Sequence, residues 1–309
     1  MPAEPTWRPT HSNPLFILAM DHRESFGATL FQVKDGHPTP QQEEQMRQAK
    51  GLIYSALAGV RSELKAGRAA VLVDERYGQA VIDRARRDGT VLAVPVEASG
   101  HEWFTLEWGD RWLEHVEAVK PDYAKVLVRD NPALDPDTRS AQLHLLAQVC
   151  TGLDGIGIPL IYELLVPATD EQKRSVGNDP DRYDRDVRPE LTTRVIADNQ
   201  AAGIYPALWK LEGFDTQDAA SGVAQQARSG HRPADIILLG RDAPVERLDH
   251  WIDVAAGADA FVGFAIGRSI WEDVIAAYVS STIDDETAKS RIAEIYLHFV
   301  HRWTTDTGY

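Results

Sequence analysis

Apolar residues fall into eight short runs separated by longer stretches with helix-start and helix-stop signals. The runs predict strands over residues 15–20, 69–73, 91–96, 123–128, 159–164, 204–208, 235–239 and 260–265. Trp209-Lys210-Leu211-Glu212-Gly213 closes the sixth. Thr39-Pro40-Gln41-Gln42 is a capping box with proline at the first helical position, so a helix runs from there to about Leu64. Gly89 reads as the C-cap of the helix after the second strand. A helix over 111–119 stops before Pro121, and Asp135-Pro136 opens one that reaches about Cys150. Further helices are expected over 189–202, from Thr216 to near Gly230, up to Gly257, after Gly267-Arg268-Ser269, and over 286–301. Residues 25–38 read as a loop. Residues 167–188, with Arg182, Tyr183, Arg185 and Arg188, read as a long charged loop that is either solvated surface or a lid. Strands alternating with helices imply right-handed βαβ units and a parallel sheet. Eight units in roughly 250 residues suit an α/β fold of the (β/α)8 barrel type. An open doubly wound sheet is the alternative, but no G-x-G-x-x-G follows the first strand. The expected organisation is one domain over 1–309, with a polar extension at 1–13 and a C-terminal helix within 280–309.

Composition narrows the class. The chain is 26% charged and 43% hydrophobic, which is ordinary for a globular protein. Its formal net charge of −15 argues against a nucleic-acid partner, whose footprint would be basic. Cys150 is the only cysteine, which excludes an intrachain disulfide and a multi-cysteine metal site. No apolar run approaches the ~18 residues of a membrane span. The N-terminus lacks a signal-peptide h-region, so a cytoplasmic location without a membrane partner is expected. A homo-oligomer is compatible with the sequence.

The unusual residues lie at the carboxyl ends of the strands, where barrel active sites form. They are Asp21 after the first strand, Lys125 on the fourth, Glu163 on the fifth, Lys210 on the sixth and Arg268 after the eighth. Period-2 alternation puts Leu208, Lys210 and Glu212 on one face of their strand and Trp209 and Leu211 on the other. Singly, each charge has a structural explanation: a turn residue, an ion pair, a surface cap. Together they suit a lysine amine that attacks a ketone and forms an iminium. Such an amine must first lose its proton, which requires a pKa near 7–8 rather than ~10.4. Burial and a second cation, Lys125, are the means at hand. Glu163 or Asp21 can then move protons. Gly240-Arg241 and Gly267-Arg268 follow strands seven and eight, where barrels bind phosphate through backbone N–H groups, a helix N-terminus and an arginine. The ten histidines include no H-x-H or H-E-x-x-H pattern. His298 and His301 fit a helix C-terminus better than a metal site. Neither metal nor cofactor is expected.

The ordered set Asp21, Lys125, Glu163, Lys210 and Gly267-Arg268 resembles the Schiff-base (class I) aldolases of the tagatose-bisphosphate and fructose-bisphosphate type. Four segments narrow the resemblance: Met20-Asp21-His22-Arg23-Glu24-Ser25-Phe26, Trp209-Lys210-Leu211-Glu212-Gly213, Leu238-Leu239-Gly240-Arg241 and Gly263-Phe264-Ala265-Ile266-Gly267-Arg268. They are similar to the aldolase-like domain often fused behind 5-dehydro-2-deoxygluconokinase; no kinase half is present in these 309 residues. The resemblance covers about residues 14–280. It implies cleavage of 2-deoxy-5-keto-gluconate 6-phosphate to dihydroxyacetone phosphate and malonate semialdehyde. Lys210 would be the nucleophile, and His22 and Arg23 would meet the substrate's carboxylate. The alternatives are an aldolase for another ketose phosphate, including sulfonated ones, a non-catalytic sugar-phosphate sensor, and a metal-dependent class II aldolase.

Overall fold

The structure, a computed structural model, describes residues 7–306. Residues 1–6 of the expected extension and 307–309 of the expected C-terminal segment lie outside them. Eight parallel strands close into a barrel in chain order: β1 (Leu15–Ala19), β2 (Arg68–Leu72), β3 (Val91–Pro95), β4 (Tyr123–Arg129), β5 (Leu160–Leu165), β6 (Leu208–Glu212), β7 (Asp235–Leu239) and β8 (Phe261–Ile266). The helices are α1 (Glu24–Phe31), α2 (Pro40–Val60), α3 (Glu75–Asp88), α4 (Trp112–Val119), α5 (Pro136–Ile156), α6 (Asp170–Ser175), α7 (Pro180–Asp186), α8 (Arg188–Ala201), α9 (Gln217–Ala227), α10 (Val245–Ala256), α11 (Arg268–Val279) and α12 (Asp285–Asp306). This is the expected (β/α)8 barrel. Among the described residues, no helix is long and apolar enough to cross a membrane.

Strand parity builds two apolar layers. Leu15, Ile17, Ala19, Ala70, Leu72, Ala93, Tyr123, Ile161, Leu208, Ile237, Val262 and Ala265 fill the barrel interior. Their outward neighbours, among them Phe16, Val71, Trp209 and Leu238, pack under the helices. Buried on both faces, the strands read as continuous apolar runs. One glycine is obligatory for closure. Gly263 sits at φ +136, and a Cβ there would stand 1.9 Å from the Leu15 carbonyl oxygen on the neighbouring strand.

Most caps follow the sequence. Thr39 and Gln42 form the capping box of α2, Gly89 closes α3 in the left-handed region, and Asp135 caps α5. Four expectations are corrected. Residues 25–38 are not all loop, because α1 buries Phe26, Leu30 and Phe31; its N-cap position, Arg23, gives no side-chain cap and so no sequence signal. The sixth strand begins at Leu208, and the stretch containing Pro206 leads into it. Helix α5 passes Cys150 and ends at Gly157. Residues 167–188 are not a loop but hold α6, opened by a Thr169–Gln172 capping box, and α7, capped by Asp179.

Candidate active site

The odd-numbered residues of β1, β3, β4 and β5 and the even-numbered residues of β6 face inward. Continuing that parity upward carries the interior from an apolar layer into a charged one. Asp21 follows Ala19, Glu97 follows Pro95, Lys125 follows Tyr123, Glu163 follows Ile161, and Lys210 follows Leu208. All five are buried. The ladder places Glu163 beside Lys210 and Leu127 beside Glu163.

The Lys125 ammonium donates to Asp21 Oδ2 and to Glu97 Oε1, each at 2.8 Å, and lies 2.8 Å from Glu163 Oε2. Lys210 Nζ lies 2.9 Å from that same Glu163 oxygen. Arg23 adds a third cation, 3.8 Å from Glu97. Charges this deep are tolerated only when paired.

The pairing sorts the carboxyls. Burial alone would raise Asp21, but Lys125 and Lys210 overcome it and hold the group below its ordinary value. Glu163 is likewise held down, burial being outweighed by the same two lysines. Glu97 goes the other way: burial exceeds the pull of Lys125 and Arg23 and raises it. Its Oε2 is buried with no hydrogen-bond partner. Burial would lower Lys125, yet Asp21, Glu163 and Glu97 together raise it well above the lysine range. The sequence reading made Lys125 either an ion-pair partner of Glu163 or a second cation beside Lys210. The structure instead gives it three carboxylates.

This layer floors a cavity of about 560 Å³ at the carboxyl ends of the strands. Every residue of the expected site lines it: Asp21, His22, Arg23, Lys125, Glu163, Lys210, Gly240, Arg241, Gly267 and Arg268. His22 meets Trp271 edge-on with ring centroids 5.5 Å apart, and its buried Nδ1 has no hydrogen-bond partner. Burial pushes its imidazole down to about 4, against the attraction of Asp21. The turn carrying Asp21 and His22 is clamped from behind. Lys50, fully buried on α2, donates to the Met20 and His22 carbonyls at 2.6 and 3.0 Å and pairs with Asp74.

The arginines at the rim differ in what they hold. Arg23 donates to Glu107 Oε2 at 3.0 Å and to the Glu97 carbonyl at 2.6 Å, so it braces the β3 exit. Arg241 has φ 48 and turns back onto Glu212 at 2.8 Å and Asp184 at 2.9 Å. Asp184 on α7 also binds Arg188 at 3.0 Å, and Tyr183 donates to the Val166 carbonyl at 2.9 Å. These bonds fasten the 167–188 segment beside the barrel, and none of its residues lines the cavity. Arg268 pairs with Asp242 at 3.1 Å and remains one-third exposed. Gly267 is the N-cap position of α11 and supplies no side-chain cap; the Ile270 N–H donates to the Gly267 carbonyl at 2.8 Å, and the Arg268 and Ser269 N–H groups are left for a ligand. A Cβ at Gly267 would stand 2.5 Å from the Ala19 carbonyl oxygen. His298 binds Asp249 at 2.7 Å on the far helical layer. Among the described residues no group of three or more His, Cys, Asp or Glu side chains is placed to hold a metal ion.

Sequence reasoning missed Glu97, Lys50 and Arg129. Glu97 could have been found by extending the Ala93-Pro95 parity two residues. Lys50 left no signal, since a lysine on a helix normally faces solvent.

A (β/α)8 barrel with its charged, concave site at the carboxyl ends of the strands is an arrangement that enzymes commonly use. Residues 4–307 match the model of a family described as an uncharacterized protein conserved in bacteria (DUF2090), and the chain belongs to that family. No curated protein matches it.

Proposed function

We propose that this protein is a Schiff-base aldolase acting on a phosphorylated keto-sugar acid, with Lys210 as nucleophile. The observation that carries the reading is the contact of Lys210 Nζ with Glu163 Oε2 at 2.9 Å, in a buried layer that lines the cavity. A structural ion pair would need one carboxylate. Here three carboxyl groups and two lysines converge, and the carboxyls' affinities for protons are driven apart, Asp21 and Glu163 downward and Glu97 upward, which is the condition for dividing acid and base work.

The unprotonated Lys210 nitrogen attacks the ketone carbon. Glu163, held ionised by the two lysines, accepts the amine proton, while Glu97, which burial biases toward its protonated form, donates to the carbonyl oxygen. Glu163 returns that proton to the carbinol hydroxyl, which leaves as water, and the resulting iminium draws electrons from the adjacent carbon–carbon bond. That bond breaks as Asp21 takes the proton of the hydroxyl on the departing carbon, and the electron pair enters the enamine. After the aldehyde leaves, the enamine is reprotonated on carbon. Water then hydrolyses the iminium and frees both the ketone and Lys210. Gly267, Arg268 and the N-terminus of α11 suit a phosphate, because open N–H groups, the helix dipole and a guanidinium converge there. The substrate this reading favours is 2-deoxy-5-keto-gluconate 6-phosphate, giving dihydroxyacetone phosphate and malonate semialdehyde, as the sequence resemblance implies. Location in the cytoplasm belongs to the same reading.

Borohydride added with dihydroxyacetone phosphate tests it, because an iminium is reducible and a resting amine is not. Peptide mass mapping should place the adduct on Lys210. An adduct on Lys125, or none, overturns the assignment.

A further inference from the structure

Four arginines stand at the cavity rim, and three of them already hold a carboxylate. Arg23 holds Glu107 at 3.0 Å, Arg241 holds Asp184 and Glu212, and Arg268 holds Asp242 at 3.1 Å. The fourth is Arg129, the last residue of β4. Among the described residues its side chain makes a single hydrogen bond, to the His101 carbonyl oxygen at 3.3 Å, and no ion pair. Parity places it on the inward face of the strand, above Lys125 and Leu127, and it lines the cavity.

The barrel's closure gives that position meaning. In the strand order β4 lies opposite β8, so Arg129 and the Gly267-Arg268 turn stand at opposite ends of the cavity mouth. The ladder joins Leu127, Glu163 and Lys210 in one row and pairs Arg129 with Leu165 two residues higher. Two residues of parallel strand rise about 6.6 Å. A substrate carbonyl over Lys210 would thus have one anion site toward β8 and a second cation one layer up, toward β4.

We propose that Arg129 determines specificity for substrates that carry a carboxylate at the end remote from the phosphate. This rests on the aldolase reading for the position of the carbonyl, and it transfers to Arg129 the task the sequence assigned to His22 and Arg23. The planar guanidinium fork fits a carboxylate through two parallel N–H bonds. A phosphate fits this end less well. The uncapped helix N-terminus that would favour a phosphate lies at α11, not at the end of β4.

Calorimetric titration with 6-phosphogluconate and with glucitol 6-phosphate tests the assignment without requiring turnover. The two ligands share the phosphate and differ at the far end, carboxylate against hydroxymethyl. The parent should prefer the acid by roughly 10- to 200-fold, the range of a charge-assisted contact. In Arg129→Gln that ratio should fall to within about threefold, and Arg129→Lys should restore part of it. An unchanged ratio in Arg129→Gln overturns the proposal, and so does a parent that binds neither ligand or shows no preference. If glucitol 1,6-bisphosphate depends on Arg129 more strongly than the acid does, the site reads phosphate and the carboxylate assignment falls. The aldolase reading fails separately, by the absence of a Lys210 adduct.

Discussion

Lys125 and Lys210 are held on the same carboxylate oxygen: Oε2 of Glu163 lies 2.8 Å from one ammonium and 2.9 Å from the other. Shared this way, Glu163 links a lysine enclosed by three acids to a lysine with one. That asymmetry gives the two lysines different work. Lys125 keeps its proton and holds the acids in place, while Lys210 faces the cavity with the fewest partners.

Lys125→Met should test the holding role. Removing one partner of a buried ionic group costs about 3–5 kcal/mol, because the remaining charges stay buried. The pH dependence follows from the sign of the shifts. Asp21 and Glu163 lie below their unfolded values in the parent, so their contribution is present above the unfolded carboxyl pKa and is lost as pH falls through the folded value. Lys125 lies above its unfolded value, so it contributes fully at neutral pH and is lost only in strong alkali. Without Lys125, burial pushes these acids up instead, so the stability deficit should be large at pH 8 and shrink as pH falls toward the ordinary carboxyl pKa of about 4. Denaturant unfolding across that range measures it. A deficit independent of pH would remove Lys125 from the charge network.

Glu97→Gln keeps size and removes the titrating proton. If Glu97 donates to the carbonyl oxygen, kcat should fall by about 10²- to 10⁴-fold, the usual worth of general acid catalysis. The amide oxygen introduced by the substitution can still accept from Lys125, so the fold should persist by circular dichroism. A kcat within threefold of the parent would make Glu97 a support for Lys125 only.

Arg268→Ala separates binding from chemistry. A lost arginine–phosphate contact should weaken a phosphorylated ketose by roughly 10- to 200-fold, mostly in KM because the phosphate does not react. The unphosphorylated ketose should be poor with the parent and little changed by the mutation. Kinetics on both substrates with both enzymes closes the cycle. Equal losses on the two would show that Arg268 does not touch the phosphate.

His22 should stay neutral well below the usual histidine range, since burial lowers it to about 4. Between there and about 6.5 the unfolded chain binds a proton that the folded chain refuses, so this group adds stability as pH rises through that window. An NMR titration of labelled histidine should show the His22 resonance unshifted from pH 8 to pH 5. A midpoint near 6.5 would mean that the ring is solvated.

Sequence and tertiary structure divided the information along a physical line. Alternation of strands and helices, the Thr39 and Asp135 caps and the Gly89 stop depend on neighbours a few residues apart, and these are readable in one dimension. So is parity: once Leu208 points inward, Lys210 must do so too, because a strand repeats every two residues. Asp21, Lys125 and Glu163 were legible from their place on or just after predicted strands, toward the carboxyl ends where barrel sites form. Other features depend on barrel closure, which joins residues far apart in sequence. Closure brings Glu97 and Asp21 onto Lys125 and so adds two acids to the Glu163 partner that the sequence could suggest. It commits Arg23 to Glu107 and Arg241 to Asp184, 84 and 57 residues away, while leaving Arg129 without an acid among the described residues. Charge–charge energies fall with distance through space, not along the chain. For that reason the sequence could name the charged residues of this site, and only the fold could say which of them are already paired.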